Sequence, residues 1–343
     1  MSNVVDHLAE LTGFRDRDVL DVTLVGAFQD LLRPQAASIY RSVGEVGDQR
    51  WLTRARLAAG DTTATADPLW SDPLTLPLLA DQPDRHACLL RQESITVPGS
   101  PAMSYFALTS DLEPNGVLEL QTDQPLSDDQ VRLVSSILRI YRNFQGLLDY
   151  SERDMLTGLL NRKTFEESFQ RVALLAAVPD NQQRVETRRH LPSGSSWLGL
   201  IDIDYFKRVN DNFGHLIGDE VLLLLSRLMR TSFRFHDHLY RFGGEEFVVL
   251  MRCGNPVDAT LALERLRLNV ERYAFPQVGR ITISVGFTEL RPGDTPSAAF
   301  ERADKAIYHA KASGRNRVAH HAELVAAGLI SDEIPHNSDA ELF

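Results

Sequence analysis

At Asp154 the rhythm of the sequence changes. From there on, apolar segments of helical and strand length alternate: helical periods in "RKTFEESFQRVALLAA", "GDEVLLLLSRLMRTSF", "DATLALERLRLNVERY" and "SAAFERADKAIYHAKASG", strand patterns in "WLGLIDID", "HLYRFGGEEFVVLM" and "ITISVGFTEL". Such alternation buries its apolar faces only as a layered α/β domain around a mixed sheet. Residues 1–126 read differently. There "VLDVTLVGAFQDLL" has a helical period, and "ASIYRSVGEV", "RWLTRARLA", "MSYFALTSD" and "GVLELQTD" read as strands separated by Gly, Pro and Asp clusters, which predicts an antiparallel sheet flanked by helices. A length of 343 residues accommodates both domains.

Residues 127–153 join them. Ser127 followed by Gln130 is a capping-box signature that opens a helix. Val134, Leu138, Tyr141, Leu148 and Met155 fall close to a 3.5-residue repeat, interrupted by Gln145 and Glu152. Two packings suit that stripe: an amphipathic helix lying on its own domain, or a short parallel coiled coil joining two chains. The polar stretch 178–196 predicts an exposed loop, and the acidic tail 323–343 a poorly ordered end.

The formal net charge of −11 argues against broad nucleic-acid binding and against an anionic membrane surface as partners. No apolar run reaches bilayer length, no signal-peptide pattern opens the chain, and two cysteines build no disulfide framework, so a reducing cytoplasm is the expected location. Cys88 is expected to be a buried thiol and His86 a surface residue rather than redox or haem ligands.

The chemistry concentrates at two acidic strand ends. "WLGLIDID" is strongly apolar and finishes in Asp202 and Asp204. "RFGGEEFVVL" reads as a hairpin in which Gly243 and Gly244 make the turn, so that Glu245 and Glu246 stand at its tip. Side by side in one sheet, Asp202 and a hairpin glutamate supply oxygen-only ligands suited to Mg²⁺. Two such ions serve in-line nucleotidyl transfer. Lys207 directly follows the first acidic end, and Lys311 and Arg315 lie four residues apart where a helix stops at Gly314, as phosphate-binding cations would. No GxxxxGK occurs, which speaks against a P-loop NTPase.

In order and spacing, "DMLTGLLNR", "DIDYFKRVNDNFGHLIGDE", "RFGGEEF", "ISVGF" and "ADKAIYHAKASGRNR" resemble the GGDEF family of diguanylate cyclases in its GGEEF form, over residues 154–320 of a domain expected at 154–322. The resemblance implies a palm-like nucleotide-cyclase fold that joins two GTP into cyclic di-GMP and releases two pyrophosphates. By position, Asp202, the Ile203 carbonyl and Glu245 would hold Mg²⁺ or Mn²⁺, two ions per active site. Glu245 or Glu246 would help deprotonate the 3′-hydroxyl. Asn210 and Asp219 would read guanine, and Lys207, Lys311 and Arg315 would hold phosphates. Arg234 and Asp237 match an RxxD inhibitory site for product, with Arg265 as a further arginine. The 178–196 stretch is longer than the family's pattern and reads as an insertion. Residues 1–126 resemble a GAF sensor domain with an unknown ligand, a PAS-type domain being the other option. The expected assembly is a homodimer. The competing reading is a silent GGDEF domain that only binds cyclic di-GMP or GTP.

Overall fold

The computed structural model describes residues 2–13, 17–44, 47–67, 73–109, 115–176, 194–234 and 236–332. The chain divides into two compact units, Met1–Ser151 and Glu152–Phe343.

The first unit opens with α1 (Ser2–Gly13) and α2 (Arg17–Leu32), followed by β1 (Ala36–Val43) and β2 (Arg50–Ala58). Then come α3 (Pro83–Arg91), β3 (Ile95–Val97), β4 (Ala102–Leu108), β5 (Gly116–Thr122) and α4 (Asp128–Glu152). The five strands form an antiparallel sheet in the order β2-β1-β5-β4-β3. Strand alternation sends Ala37, Ile39, Phe106, Leu118 and Leu120 to one face, where α1, α2 and α4 cover them. It sends Tyr40, Trp51, Tyr105 and Val117 to the other, where Cys88 and Leu89 of α3 pack. Burial raises the Cys88 thiol to about 11, so it behaves as a small apolar side chain.

The capping box forms at the start of α4: the Ser127 amide donates to Gln130 Oε1 at 2.9 Å, and the Gln130 amide to Ser127 Oγ at 3.3 Å. The stripe along α4 is used within its own unit, with Val134 0%, Leu138 9%, Tyr141 1% and Leu148 4% exposed. Those four positions pack as an amphipathic helix lies on its own domain, while Met155 of the same stripe is exposed. Gln145 interrupts the apolar repeat because it donates to the buried Tyr141 hydroxyl at 2.7 Å. That hydroxyl also accepts from Arg41 at 3.0 Å and donates to Asp21.

The second unit contains β6 (Leu160–Asn161), α5 (Arg162–Ala176), β7 (Ser195–Ile203), α6 (Phe206–Phe213), α7 (His215–Ser232), β8 (His238–Gly243) and β9 (Glu246–Cys253). It continues through α8 (Pro256–Arg272), β10 (Ile283–Glu289), α9 (Pro296–Ala312), β11 (Val318–His320) and α10 (His321–Ala326). The sheet is mixed, in the order β11-β10-β7-β9-β8-β6, with β10/β11 and β6/β8 parallel and the other pairs antiparallel. Helices cover both faces, α7 and α8 over Ile201, Ile203, Phe247 and Val249, and α5 and α9 over Leu198, Leu200, Val248 and Leu250. The glycine of "ISVGF" is explained by close approach: a Cβ on Gly286 would meet the Ile307 amide at 2.2 Å and the Ala303 carbonyl at 2.4 Å. Its absence lets the α9 backbone lie directly on β10.

Two sequence expectations need correction. Ser195 and Ser196 belong to β7 rather than to a loop, because they continue the ladder opposite Cys253 and Arg252. The rest of the 178–196 stretch, up to 193, lies outside the described residues. The tail is helical in α10, and Asp332 pairs with Arg291 at 3.3 Å, while 333–343 lie outside the described residues.

Candidate active site

The site is built where β7 ends and β9 begins. Asp202 is the penultimate residue of β7, with Glu246 as its partner on one side and Ser284 of β10 on the other. Cross-strand partners share a sheet face, and here it is the face that α9 covers. Glu245 stands one residue earlier, in a turn that Gly243 (φ 143°) and Gly244 (φ 52°) permit. A Cβ on either glycine would meet nothing within 4 Å, so space remains above the turn.

The hairpin is clamped from below. Arg241 donates through Nε and Nη2 to the Gly244 carbonyl at 3.2 and 2.9 Å, and through Nη1 to both Asp154 oxygens at 3.0 and 3.1 Å. Burial raises the Asp154 carboxyl, but the Thr157 hydroxyl and amide together with Arg241 outweigh it and hold the group below its usual range. A charged clamp therefore fixes the turn to the entrance segment "DMLTG".

Lys311, near the end of α9, places its ammonium 2.8 Å from Asp202 Oδ2. Burial pushes Asp202 above the ordinary carboxylate range, while Lys311 and Arg315 pull it back and Asp204 adds to it. Glu245 and Glu246 are raised as well, first by burial, then by the negative charge of Asp202, against the opposing pull of Lys311. The charge of Asp202 thus bears on both glutamates, a repulsion that a cation relieves. Among the described residues no three Asp, Glu, His or Cys side chains close on a single point as a complete metal cage. The donor set is open and all oxygen, which fits Mg²⁺ held by one or two carboxylates and completed by waters and phosphates.

Asp204 has a separate duty. It is buried and accepts from Thr282 Oγ1 at 2.7 Å, Ser284 Oγ at 2.7 Å and the Asn316 amide at 3.0 Å. The turn after α9 is strained, with Arg315 at φ 63° and Asn316 at φ 44°, and Asp204 helps hold it there. From α8, Arg267 donates to Asn316 Oδ1 at 2.9 Å, and Asn316 in turn donates to Glu271 at 2.7 Å. Arg315 thereby reaches Tyr205, donating to its hydroxyl at 3.2 Å and stacking with its guanidinium 4.4 Å from the ring centroid. Arg208 stacks on the same ring at 4.5 Å.

Lys207 is exposed in the first turn of α6. Asn210 lies on the same helix, packed over α7 so closely that a Cβ on Gly218 would come within 2.0 Å of its Oδ1. Asp219, the next residue, is exposed.

Residues 151–317 match the family described as diguanylate cyclase, GGDEF domain. The chain is 40% identical over 168 residues to diguanylate cyclase DgcP of Pseudomonas aeruginosa, covering 48% of this chain and 23% of that protein. It is 33% identical over 233 residues to diguanylate cyclase DgcS of Shewanella oneidensis, covering 68% of this chain and 71% of that one. The chain belongs to the GGDEF diguanylate cyclase family. Among solved structures, the GGDEF domain of DgcB from Caulobacter crescentus in complex with c-di-GMP is 30% identical, with 50% of this chain and 96% of that chain covered and a TM-score of 0.44. DgcP extends well beyond the shared stretch, this chain spanning less than a quarter of its length.

A second group of residues in this GGDEF domain lies between α7 and β8. The Arg234 amide donates to Asp237 Oδ2 at 2.9 Å and the Asp237 amide to the Arg234 carbonyl at 3.0 Å, so the Asp237 carboxylate closes a turn. It is buried, which pushes it up to about 6 against the opposing pull of Arg234 and Arg265. The Arg234 side chain is exposed, and Arg265 donates through Nε to the Ser232 carbonyl at 2.8 Å. The charges of both Arg234 and Arg265 act on the Asp237 carboxylate.

Sequence reasoning missed the Arg241–Asp154 clamp, the anchoring role of Asp204 and the Tyr205 platform. Tyr205 adopts a left-handed φ of 60°, which turns the chain between Asp204 and α6. Strand alternation alone gives no sign of it.

Proposed function

We propose that this chain is a diguanylate cyclase, condensing two GTP into cyclic di-GMP with release of two pyrophosphates. The observation that carries this reading is Asp202 beside Glu246 across β7 and β9, with Lys311 against the same carboxylate. Asp202, the Ile203 carbonyl and Glu245 would hold Mg²⁺, which when bound screens phosphate charge and favours ionisation of the attacking hydroxyl. Glu245 or Glu246 takes the 3′-hydroxyl proton, the oxygen attacks the α-phosphorus of the second GTP, and the bond to pyrophosphate breaks. A raised carboxyl is a better proton acceptor than an ordinary one, which suits either glutamate. Lys207, Lys311 and Arg315 hold phosphate oxygens. Tyr205 steadies Arg315 in this role. Asp219 accepts from guanine N1–H and N2–H, a donor pair that adenine lacks, and Asn210 assists.

Each domain presents one GTP, so two copies must meet antiparallel, and a two-fold homodimer is the simplest arrangement. The buried stripe of α4 leaves other positions for contact between copies, Leu147 and Tyr150 being exposed. The first unit acts as the sensor, of GAF type by resemblance. Arg234, Asp237 and Arg265 bind product and inhibit. Purified protein given GTP and Mg²⁺, with products separated by chromatography, tests the reaction. Binding of GTP or cyclic di-GMP without turnover would favour the silent-receptor reading instead.

A further inference from the structure

The first unit holds a cleft of about 200 Å³ beside α4. Ser135, Leu138, Arg139, Arg142 and Gln145 line it, and their spacing follows one stripe of the helix. Phe106 and Leu108 of β4 supply apolar lining with Leu138, and Gln92 and Ser94 also line it. Among the described residues no Asp or Glu lines the cleft.

Arg139 and Arg142 are exposed, unlike the arginines packed into this unit. Arg17 holds Asp149 at 2.7 Å, Arg54 holds Asp21 at 3.4 Å, and Arg85 holds Glu119 at 2.6 Å. Among the described residues Arg139 and Arg142 have no ion pair and no hydrogen bond. In a chain of net charge −11, two uncommitted guanidiniums at a cleft that no described acid lines mark a place for an anion. The volume corresponds to about seven waters at roughly 30 Å³ each. It lies below the usual range of roughly 300–1,000 Å³ for pockets that take drug-sized ligands, which suits a small occupant.

We propose that this cleft binds a small carboxylic acid with an apolar or aromatic body, its carboxylate held by Arg139 and Arg142 and its body against Phe106, Leu108 and Leu138. The occupant touches α4 directly. It also reaches Gln145, which donates to Tyr141 and so joins the buried group of Asp21 and Arg41. The helix it would contact runs on to Glu152, where the catalytic unit begins.

Calorimetric titration of the full chain with benzoate and with phenylacetate tests this, with acetate and benzamide supplying the charge alone and the body alone. At least one aromatic acid should bind saturably at one per chain, and acetate and benzamide at least tenfold more weakly. The double variant Arg139→Gln/Arg142→Gln should lose at least tenfold in affinity with an unchanged circular-dichroism spectrum, since both side chains are exposed. Glu245→Gln should bind the acid as the parent does, which separates this site from catalysis. The proposal is overturned if neither acid binds saturably, if benzamide binds equally well, or if the double variant binds like the parent.

Discussion

The Lys311 ammonium lies 2.8 Å from the Asp202 carboxylate, and the same cation moderates Glu245, Glu246 and Asp304. One lysine at the end of α9 therefore serves a whole acidic cluster. Its place depends on the contact between α9 and β10 at Gly286, where a side chain would strike helix backbone. Gly286→Ala should destabilise the domain and reduce turnover together, since the helix must shift before a methyl group fits. Denaturant midpoints alongside rates test the link, and a fully stable variant of normal activity would break it.

Removing the charge of Glu245 should separate activity from stability. Its carboxyl is raised above 4.5, so the ionised form is disfavoured in the folded protein, and its stabilising share is lost as pH rises through the folded value. Glu245→Gln should therefore melt no lower than the parent near neutral pH, while turnover falls by about 100-fold or more. Near-normal synthesis of cyclic di-GMP by this variant would refute the metal assignment.

Much of this was legible in the sequence because periodicity reports burial. The apolar run before Asp202 and the double glycine before Glu245 place both acids at strand ends, and adjacency in one sheet brings them together. The stripe on α4 was legible as apolar but not in its partner, since helix-on-sheet packing and coiled-coil packing draw on the same spacing. Asp204 shows the other limit. Its two-residue offset from Asp202 suggests a twin role, yet the left-handed Tyr205 turns the chain, and Asp204 serves the Asn316 turn instead.

Arg241 makes four hydrogen bonds through a planar fork, a geometry that lysine does not reproduce. Arg241→Lys should keep the fold and lower kcat by about tenfold or more, because the Glu245 turn loses its anchor. A parallel loss in Asp154→Asn, with no further loss in the double variant, would show that the pair acts as a unit. Normal kcat in Arg241→Lys would mean that the turn holds itself.

At Gly218 a methyl group would drive Asn210 out of place. Gly218→Ala should raise KM for GTP severalfold with little change in kcat, which steady-state kinetics will read directly. An unchanged KM would remove Asn210 from nucleotide recognition.

The turn at Asp237 should show opposed titrations. Burial lifts Asp237 from 3.8 to about 6, so its share of stability is complete below 3.8 and lost as pH rises through 6. Burial with the nearby Arg234 and His238 charges lowers His236 from 6.5 to about 4, so its share is complete above 6.5 and lost as pH falls through 4. Between these values the two slopes offset each other. Relative to the parent, Asp237→Asn should lose urea resistance as pH falls from 6 to 4, and His236→Gln should gain it. Identical profiles in all three proteins would contradict the burial of these groups. Separately, Arg234→Ala should abolish inhibition by added cyclic di-GMP with initial rates largely intact.

If the carboxylates around Asp202 join two guanosine nucleotides, the reaction itself will show it. Purified full-length protein incubated with GTP and Mg²⁺, with products resolved by chromatography and identified by mass, tests it most directly. Cyclic di-GMP should form with two pyrophosphates per product molecule, specific activity should rise with protein concentration until dimers are complete, and ATP should give no cyclic product. GTP that is bound and recovered unchanged, or converted only to a hydrolysis product, would contradict it.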